Sequence, residues 1–307
     1  MFIFILRRLV QTIPVMIGVT LAVFLMMHLI PGDPAKIMAG ENANPEQIEK
    51  MREKLGLNDP IHIQYIKYIG DAIQGDLGNS IRTSRPVTDE IFNSRFAITV
   101  QLAVVGTLAA VVFGLIAGII SATKKYSVAD VSIMLIALIL LSMPNFWLGV
   151  MLIYLFSVNL GWLPVAGWGA LEHIILPAIT LGTGGAAIIA RMTRSSMLEV
   201  LNQDYIRTAY SKGVSDRLVV YKHALRNALI PVVTVVGLQF GGLLGGAVIT
   251  ETVFAINGLG RLIIDSIRAH DFPMVQGTIL VCAVLFVFVN FLVDITYRLI
   301  NKRIELN

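Results

Sequence analysis

Apolar residues in this chain gather into six long blocks set apart by polar stretches: 9–30, 97–121, 131–158, 174–190, 229–249 and 274–297. A helix rises about 1.5 Å per residue, so roughly 20 apolar residues cross a bilayer. The pattern therefore predicts an all-α polytopic protein with six transmembrane helices, because open sheet edges cannot face lipid. Residues 1–30 form an N-terminal anchor, and 31–96 a polar segment with amphipathic helices. Residues 97–307 form a core of five spans that includes a polar loop at 191–228. The first block is longer than the apolar region of a signal peptide and no small-residue cleavage site follows it, so it reads as a retained anchor.

Within these regions the spacing is informative. The first block is expected to stop at Pro31 and Gly32. Asn44 and Pro45 open a short helix with Ile48, Met51 and Leu55 on one face and Gly56 as its stop. Residues 61–73 place Ile61, Tyr65, Tyr68, Ile69 and Ala72 on one side, the pattern of a helix lying along lipid headgroups. Small residues recur every fourth position at Gly106, Ala110, Gly114, Gly118 and Ala122, and again at Gly237, Gly241 and Gly245. Such ladders let helix backbones approach closely, within one subunit or between two, and both options stay open. Pro144 interrupts the third block, making Asn145 either part of a satisfied kink or a place on a translocation path.

The stretch between the fourth and fifth blocks differs from the rest. From Arg191 to Asn227 it carries seven Lys/Arg against three Asp/Glu, so it must face water. Met197, Leu198, Leu201, Tyr205 and Ala209 make a helical stripe, with Gly213 placed to stop it in a left-handed conformation. Ser215 is set to cap a second helix that opens with Asp216 and runs through Leu218, Val219, Tyr221, Ala224 and Leu225. Two short helices meeting at a glycine form a compact knob, a shape suited to docking.

Charge assigns the sides. Segments on the side of both termini carry fourteen Lys/Arg; the other side carries ten, eight of them in the long region 33–95 that also holds ten acids. The positive-inside rule rests on short loops, so both termini and the knob are expected in the cytoplasm and 31–96 outside. Composition agrees, with 56% hydrophobic and 14% charged residues. The net charge of +4 is explained by topology and anionic lipid, with no nucleic-acid partner.

Catalytic chemistry is sparse. No G-x-x-x-x-G-K-S/T string exists to cradle ATP phosphates. His28, His62, His173, His223 and His270 have no metal-ligand spacing, and Cys282 is alone, so neither metal nor cofactor is expected. Asp294 is an acid inside a span, one turn from Arg298, where an i,i+4 pair is the simplest account.

The knob contains Arg207-Thr208-Ala209, then three residues, then Gly213, within DYIRTAYSKGVSDRLVVYKHALRNALIPVVT. This resembles the EAA-type signature of membrane subunits in binding-protein-dependent ABC importers, in the version found in dipeptide and oligopeptide permeases. Arg207-Thr208 stand where Glu-Ala is usual, and Leu225-Arg226 where Leu-Pro is usual. IPGDP at 30–34, GDLGNSI at 75–81, GWLP at 161–164 and ETVFAINGLGRLIIDSI at 251–267 extend the resemblance over nearly the whole chain.

The resemblance implies a type I ABC importer permease fold in the cell membrane. It further implies a second homologous permease, two cytoplasmic ATPase subunits that hydrolyse the ATP, and an extracytoplasmic solute-binding protein. Coupling to the ATPases would fall to Arg207, Thr208, Ala209, Gly213, Ser215, Asp216 and Arg217. The implied solute is a di- or oligopeptide, with glutathione or a nickel chelate as alternatives inside the family. A self-powered carrier or a membrane scaffold are the alternatives outside it.

Overall fold

The computed structural model describes residues 2–29, 34–39, 43–54 and 56–300. Among them regular structure is helical: α1 (Phe2–Leu29), α2 (Pro34–Ala39), α3 (Pro45–Lys54), α4 (Ile61–Ile73), α5 (Val87–Glu90), α6 (Phe96–Thr123) and α7 (Val128–Ser142). There follow α8 (Asn145–Leu152), α9 (Leu171–Leu201), α10 (Asp204–Ser211), α11 (Asp216–Leu218), α12 (Leu225–Val253), α13 (Leu259–Arg268) and α14 (Phe272–Ile300). Three π-helical turns, Ile91–Arg95, Ile153–Asn159 and Val219–Ala224, join α5 to α6, extend α8, and join α11 to α12. Five helices are long and apolar enough to cross a membrane, and a sixth span exists if α7 and α8 count as one. Those two meet at an angle of 106°. The expected end of the first block at Pro31 and Gly32 and the role of Leu55 involve positions outside the described residues, and the Asp294–Arg298 pair involves a side chain whose surroundings are not described.

The chain folds into two compact units. One comprises Met1–Ile98 with Asn257–Val287. In it Asn44 and Gln47 cap α3 reciprocally: the Gln47 N–H donates to Asn44 Oδ1 at 2.8 Å and the Asn44 N–H to Gln47 Oε1 at 3.0 Å. Helix α4 turns its tyrosines toward α1, with Phe24 edge-on to Tyr65 at 5.4 Å and the Thr20 and Tyr65 hydroxyls 2.8 Å apart. Ile61, at the first position of α4, is 56% exposed. Val87, Ile91, Leu259, Leu262 and Met274 form this unit's apolar core. Above that core Asp271 takes hydrogen bonds from the Ser80 hydroxyl and from the N–H groups of Ile81 (3.1 Å), Arg82 (3.4 Å) and Met274 (3.3 Å). One buried carboxylate thus ties a tight turn to the start of α14.

The other unit comprises Thr99–Ile256 with Phe288–Asn307. Its spine is α9, a 31-residue helix that continues well past the expected end at 190. A Cβ on Gly114 would lie 2.7 Å from Ile189 Cβ, and one on Gly118 2.5 Å from Thr193 Cβ, so α6 meets α9 nearly backbone to backbone. Gly106 faces Leu181 of the same helix. A Cβ on Gly237 of α12 would collide with Val293 of α14, and Gly241 is buried. Gly245 lies outside the residues whose surroundings are described. Two buried carboxylates join elements here: Glu251 accepts the Thr99 hydroxyl at 2.6 Å, and Asp130 binds Arg194.

Candidate functional site

Helix α9 ends at Leu201, and Asn202 and Gln203 turn the chain before α10. The stripe expected to run through Met197, Leu198, Leu201, Tyr205 and Ala209 is thus divided between two helices. Ile206 replaces Tyr205 as its buried member, because the break at Asn202 and Gln203 rotates the register. Asp204 begins α10, where a carboxylate favours the positive end of the helix. The Thr208 and Ser211 hydroxyls fold back onto the carbonyls of Asp204 (3.0 Å) and Arg207 (3.1 Å).

Gly213 closes α10 with φ +77. Its N–H donates to the Tyr210 carbonyl at 2.9 Å, and the Val214 N–H to the Ala209 carbonyl at 3.2 Å. This pair of bonds is a Schellman termination and needs the left-handed residue that glycine supplies. Ser215 stands at the N-cap of α11, but its hydroxyl makes no cap hydrogen bond; its carbonyl accepts the Val219 N–H at 3.0 Å instead. The expected second short helix is longer than predicted. From Asp216 the chain runs through the π turn into α12 without a stop, since nothing between Arg217 and Val253 breaks the helix except the tolerated Pro231.

The underside is apolar. Ile206 and Ala209 sit with Ala122, Met197, Val219, Ala224 and Ala228, all buried. At roughly 25 cal/mol per Å² of apolar surface, a fully buried side chain such as Ile206 contributes about 2 kcal/mol. The rim is tied by Asn227, whose amide donates to the Tyr205 hydroxyl at 2.9 Å. Six of the seven predicted coupling residues, Arg207, Thr208, Gly213, Ser215, Asp216 and Arg217, are exposed on this seat; Ala209 belongs to its buried side. The outer surface also carries Lys212, Lys222 and Arg226. The exposed face of this projection is thus predominantly basic.

Beside it lies an element that periodicity does not signal. Asp130, in the first turn of α7, receives Arg194 Nε and Nη2 at 2.7 Å each, the Tyr126 N–H at 3.0 Å, and the Ser121 hydroxyl. Two consecutive turns of α9 thus hold the α6–α7 corner and, through Met197, the seat of α10. Asn145 stands exposed at the first turn of α8, just beyond the bend. Among the described residues no group of His, Cys, Asp and Glu is arranged to hold a metal ion.

The model of the binding-protein-dependent transport system inner membrane component matches residues 110–306, and that of its N-terminal region matches 1–103. The chain belongs to this family. It is 47% identical to the dipeptide transport system permease protein DppB of Alkalihalophilus pseudofirmus, with 97% of this chain and 98% of that protein covered. It is 48% identical to the glutathione transport system permease protein GsiC of Escherichia coli O6:H1, over 98% of each. Among solved structures, the inward-facing MetNI methionine ABC transporter aligns with a TM-score of 0.58 and 23% identity, covering 69% of this chain and 96% of that one. An amino acid ABC transporter aligns at 0.52 with 14% identity, covering 69% and 94%. These structures share the permease fold of this family member.

Proposed function

We propose that this chain is the membrane-spanning permease subunit of an ATP-driven importer for short peptides. The observation that carries the reading is the exposed α10, locked by the turn at Gly213 onto an apolar seat and followed by the exposed basic residues Lys212, Arg217, Lys222 and Arg226. Its nearly equal identity to a dipeptide permease and a glutathione permease supports short peptides as the solute class.

In this reading the chain lies in the cell membrane with both termini and α10 in the cytoplasm and 31–96 outside. A second homologous permease completes the path, an extracytoplasmic binding protein delivers the solute, and two ATPases supply the energy. When the ATPases close on ATP, they push α10. Ile206 and Ala209 pass the displacement to the ends of α9 and α12, because a packed core transmits strain rather than absorbing it. The glycine contacts of α6 and the Arg194–Asp130 pair carry it onward to α6 and α7, and the path opens on the other side.

The test is uptake of a labelled dipeptide by membranes containing the whole complex, with pull-down of the ATPase from the same membranes. Arg217→Glu should lower both while leaving the protein inserted and the binding protein docked. Wild-type uptake and ATPase retention by that variant would sink the reading of the projection formed by α10 and α11 as the coupling element.

A further inference from the structure

In the unit that holds α13, the tight turn after Asn79 and the start of α14 enclose a cavity of about 280 Å³. Its polar lining includes Arg82, Glu90, Arg95, Asp265, Ser266 and Asp271. The charges are not equally committed. Asp271 is filled by the four donors that hold the turn, so it acts as scaffold. Arg95 stands 3.6 Å from Glu90, and Asp265 3.6 Å from Arg261, both longer than a charge-assisted hydrogen bond. Among the described residues no ion pair or side-chain hydrogen bond engages the Arg82 guanidinium. Ser266, 5% exposed, lines the cavity, and among the described residues no hydrogen bond occupies its hydroxyl.

The turn that presents Arg82 is rigid for identifiable reasons. The Ser80 N–H donates to the Arg85 carbonyl at 2.9 Å, the Thr83 N–H donates to Ser80 Oγ at 3.0 Å, and Ser84 takes φ +56. The backbone beneath Arg82 is thus fixed, and its exposed side chain reaches over the cavity from a set position. The exposed, unpaired Arg82 guanidinium and the buried Ser266 hydroxyl, beside loosely held carboxylates, suit a ligand carrying both signs of charge.

We infer that this cavity is a receiving site for a zwitterionic short peptide, its terminal carboxylate on Arg82 and Ser266 and its ammonium on Asp265. The volume lies just under the roughly 300 Å³ at which pockets for larger ligands begin, which favours a dipeptide over a long chain. The identity of the ligand and the outward position of the cavity rest on the peptide-importer reading above.

The test uses the assembled complex of both permeases and the ATPases in lipid nanodiscs, without the binding protein. Binding of radiolabelled Ala-Phe is followed into the millimolar range beside N-acetyl-Ala-Phe and Ala-Phe-amide. Ala-Phe should bind, and either capped form should bind roughly tenfold more weakly, the cost of one charge-assisted contact. Arg82→Gln should weaken Ala-Phe by a similar factor and abolish its advantage over the amide; Arg82→Lys should recover part of it. Co-purification of the ATPases confirms that each variant assembles. No Ala-Phe binding by the wild type, or equal binding by Arg82→Gln, overturns the site. Loss of binding-protein association in Arg82→Gln with unchanged Ala-Phe binding would make the turn a docking surface and also overturns it. A separate arm measures Ala-Phe uptake by the complete wild-type system. Its failure refutes the peptide-importer reading, whereas intact uptake with an insensitive Arg82 refutes this site alone.

Discussion

Arg194 grips Asp130 through two parallel hydrogen bonds of 2.7 Å, Nε to Oδ1 and Nη2 to Oδ2, across 64 residues of sequence. The carboxylate side chain is 3% exposed and the guanidinium 26%, so the pair is shielded but not sealed. Removing one partner of such a pair leaves an uncompensated charge, which costs roughly 3 kcal/mol, the low end for a buried pair because Arg194 still reaches solvent. Arg194→Met should therefore lower the thermal stability of the purified complex and depress uptake. The double change Arg194→Met with Asp130→Asn should restore part of the stability, because no lone charge remains. Unchanged melting and uptake in Arg194→Met would show that the pair transmits nothing.

Gly114 is one of the positions where α6 and α9 approach nearly backbone to backbone. A Cβ there would stand 2.7 Å from Ile189 Cβ and 2.8 Å from the Ala186 carbonyl oxygen, neither of which can swing aside. Gly114→Val is expected to separate the helices and to abolish assembly, read as loss of the intact complex on size-exclusion chromatography. Gly184 has nothing within 4 Å of the equivalent position, so Gly184→Ala should assemble normally. A Gly114→Val protein that assembles and transports like wild type would refute the close approach.

What could be read in advance divides along physical lines. Local devices were legible: helix 61–73 has the bounds its periodicity predicts, and Asn44 caps α3. Both depend on residues within a turn of one another. The break at Asn202 and Gln203 was not legible, because the apolar spacing from Met197 to Ala209 continues across it. Pro144 marked the interruption of the third block but not its 106° angle, which depends on partners distant in sequence, such as Thr180 and Phe254 against Gly149. The Arg194–Asp130 pair and the Asp271 cluster escaped for the same reason. Their partners are 64 and about 190 residues apart, and a lone polar residue carries no mark of its mate. Of the candidate site, the exposed residues could be named from the motif, but the continuity of α11 with α12 could not.

The sidedness proposed above has a direct check. With Cys282 replaced by alanine, single cysteines at Glu46 or Asp89 should react with an impermeant thiol reagent added to intact cells. Cysteines at Gln203 or Arg217 should react only after the membrane is opened. All four positions are exposed, so accessibility to solvent does not confound the comparison. Labelling of Arg217→Cys from outside would overturn the arrangement of six spans with cytoplasmic termini.

The turn at Gly213 offers the sharpest test of α10, because it separates shape from charge. A side chain at φ +77 costs about 1–2 kcal/mol from the clash of Cβ with the backbone, and more when the side chain is β-branched. No neighbour lies within 4 Å of the Cβ position, so the penalty comes from the backbone alone. Gly213→Ala should therefore keep the Schellman bonds at a modest loss, whereas Gly213→Val should break them and release Val214 from its place against the seat of α10. The expected outcome is graded. Uptake of labelled dipeptide and recovery of the ATPase should fall slightly for Gly213→Ala and several-fold for Gly213→Val, with insertion and binding-protein docking unchanged. Glu46→Gln, an exposed change on α3, should leave all four readouts within error. Equal activity and equal ATPase recovery in the two glycine variants would mean that the shape of this turn is irrelevant to coupling, and α10 would be no more than a charged loop.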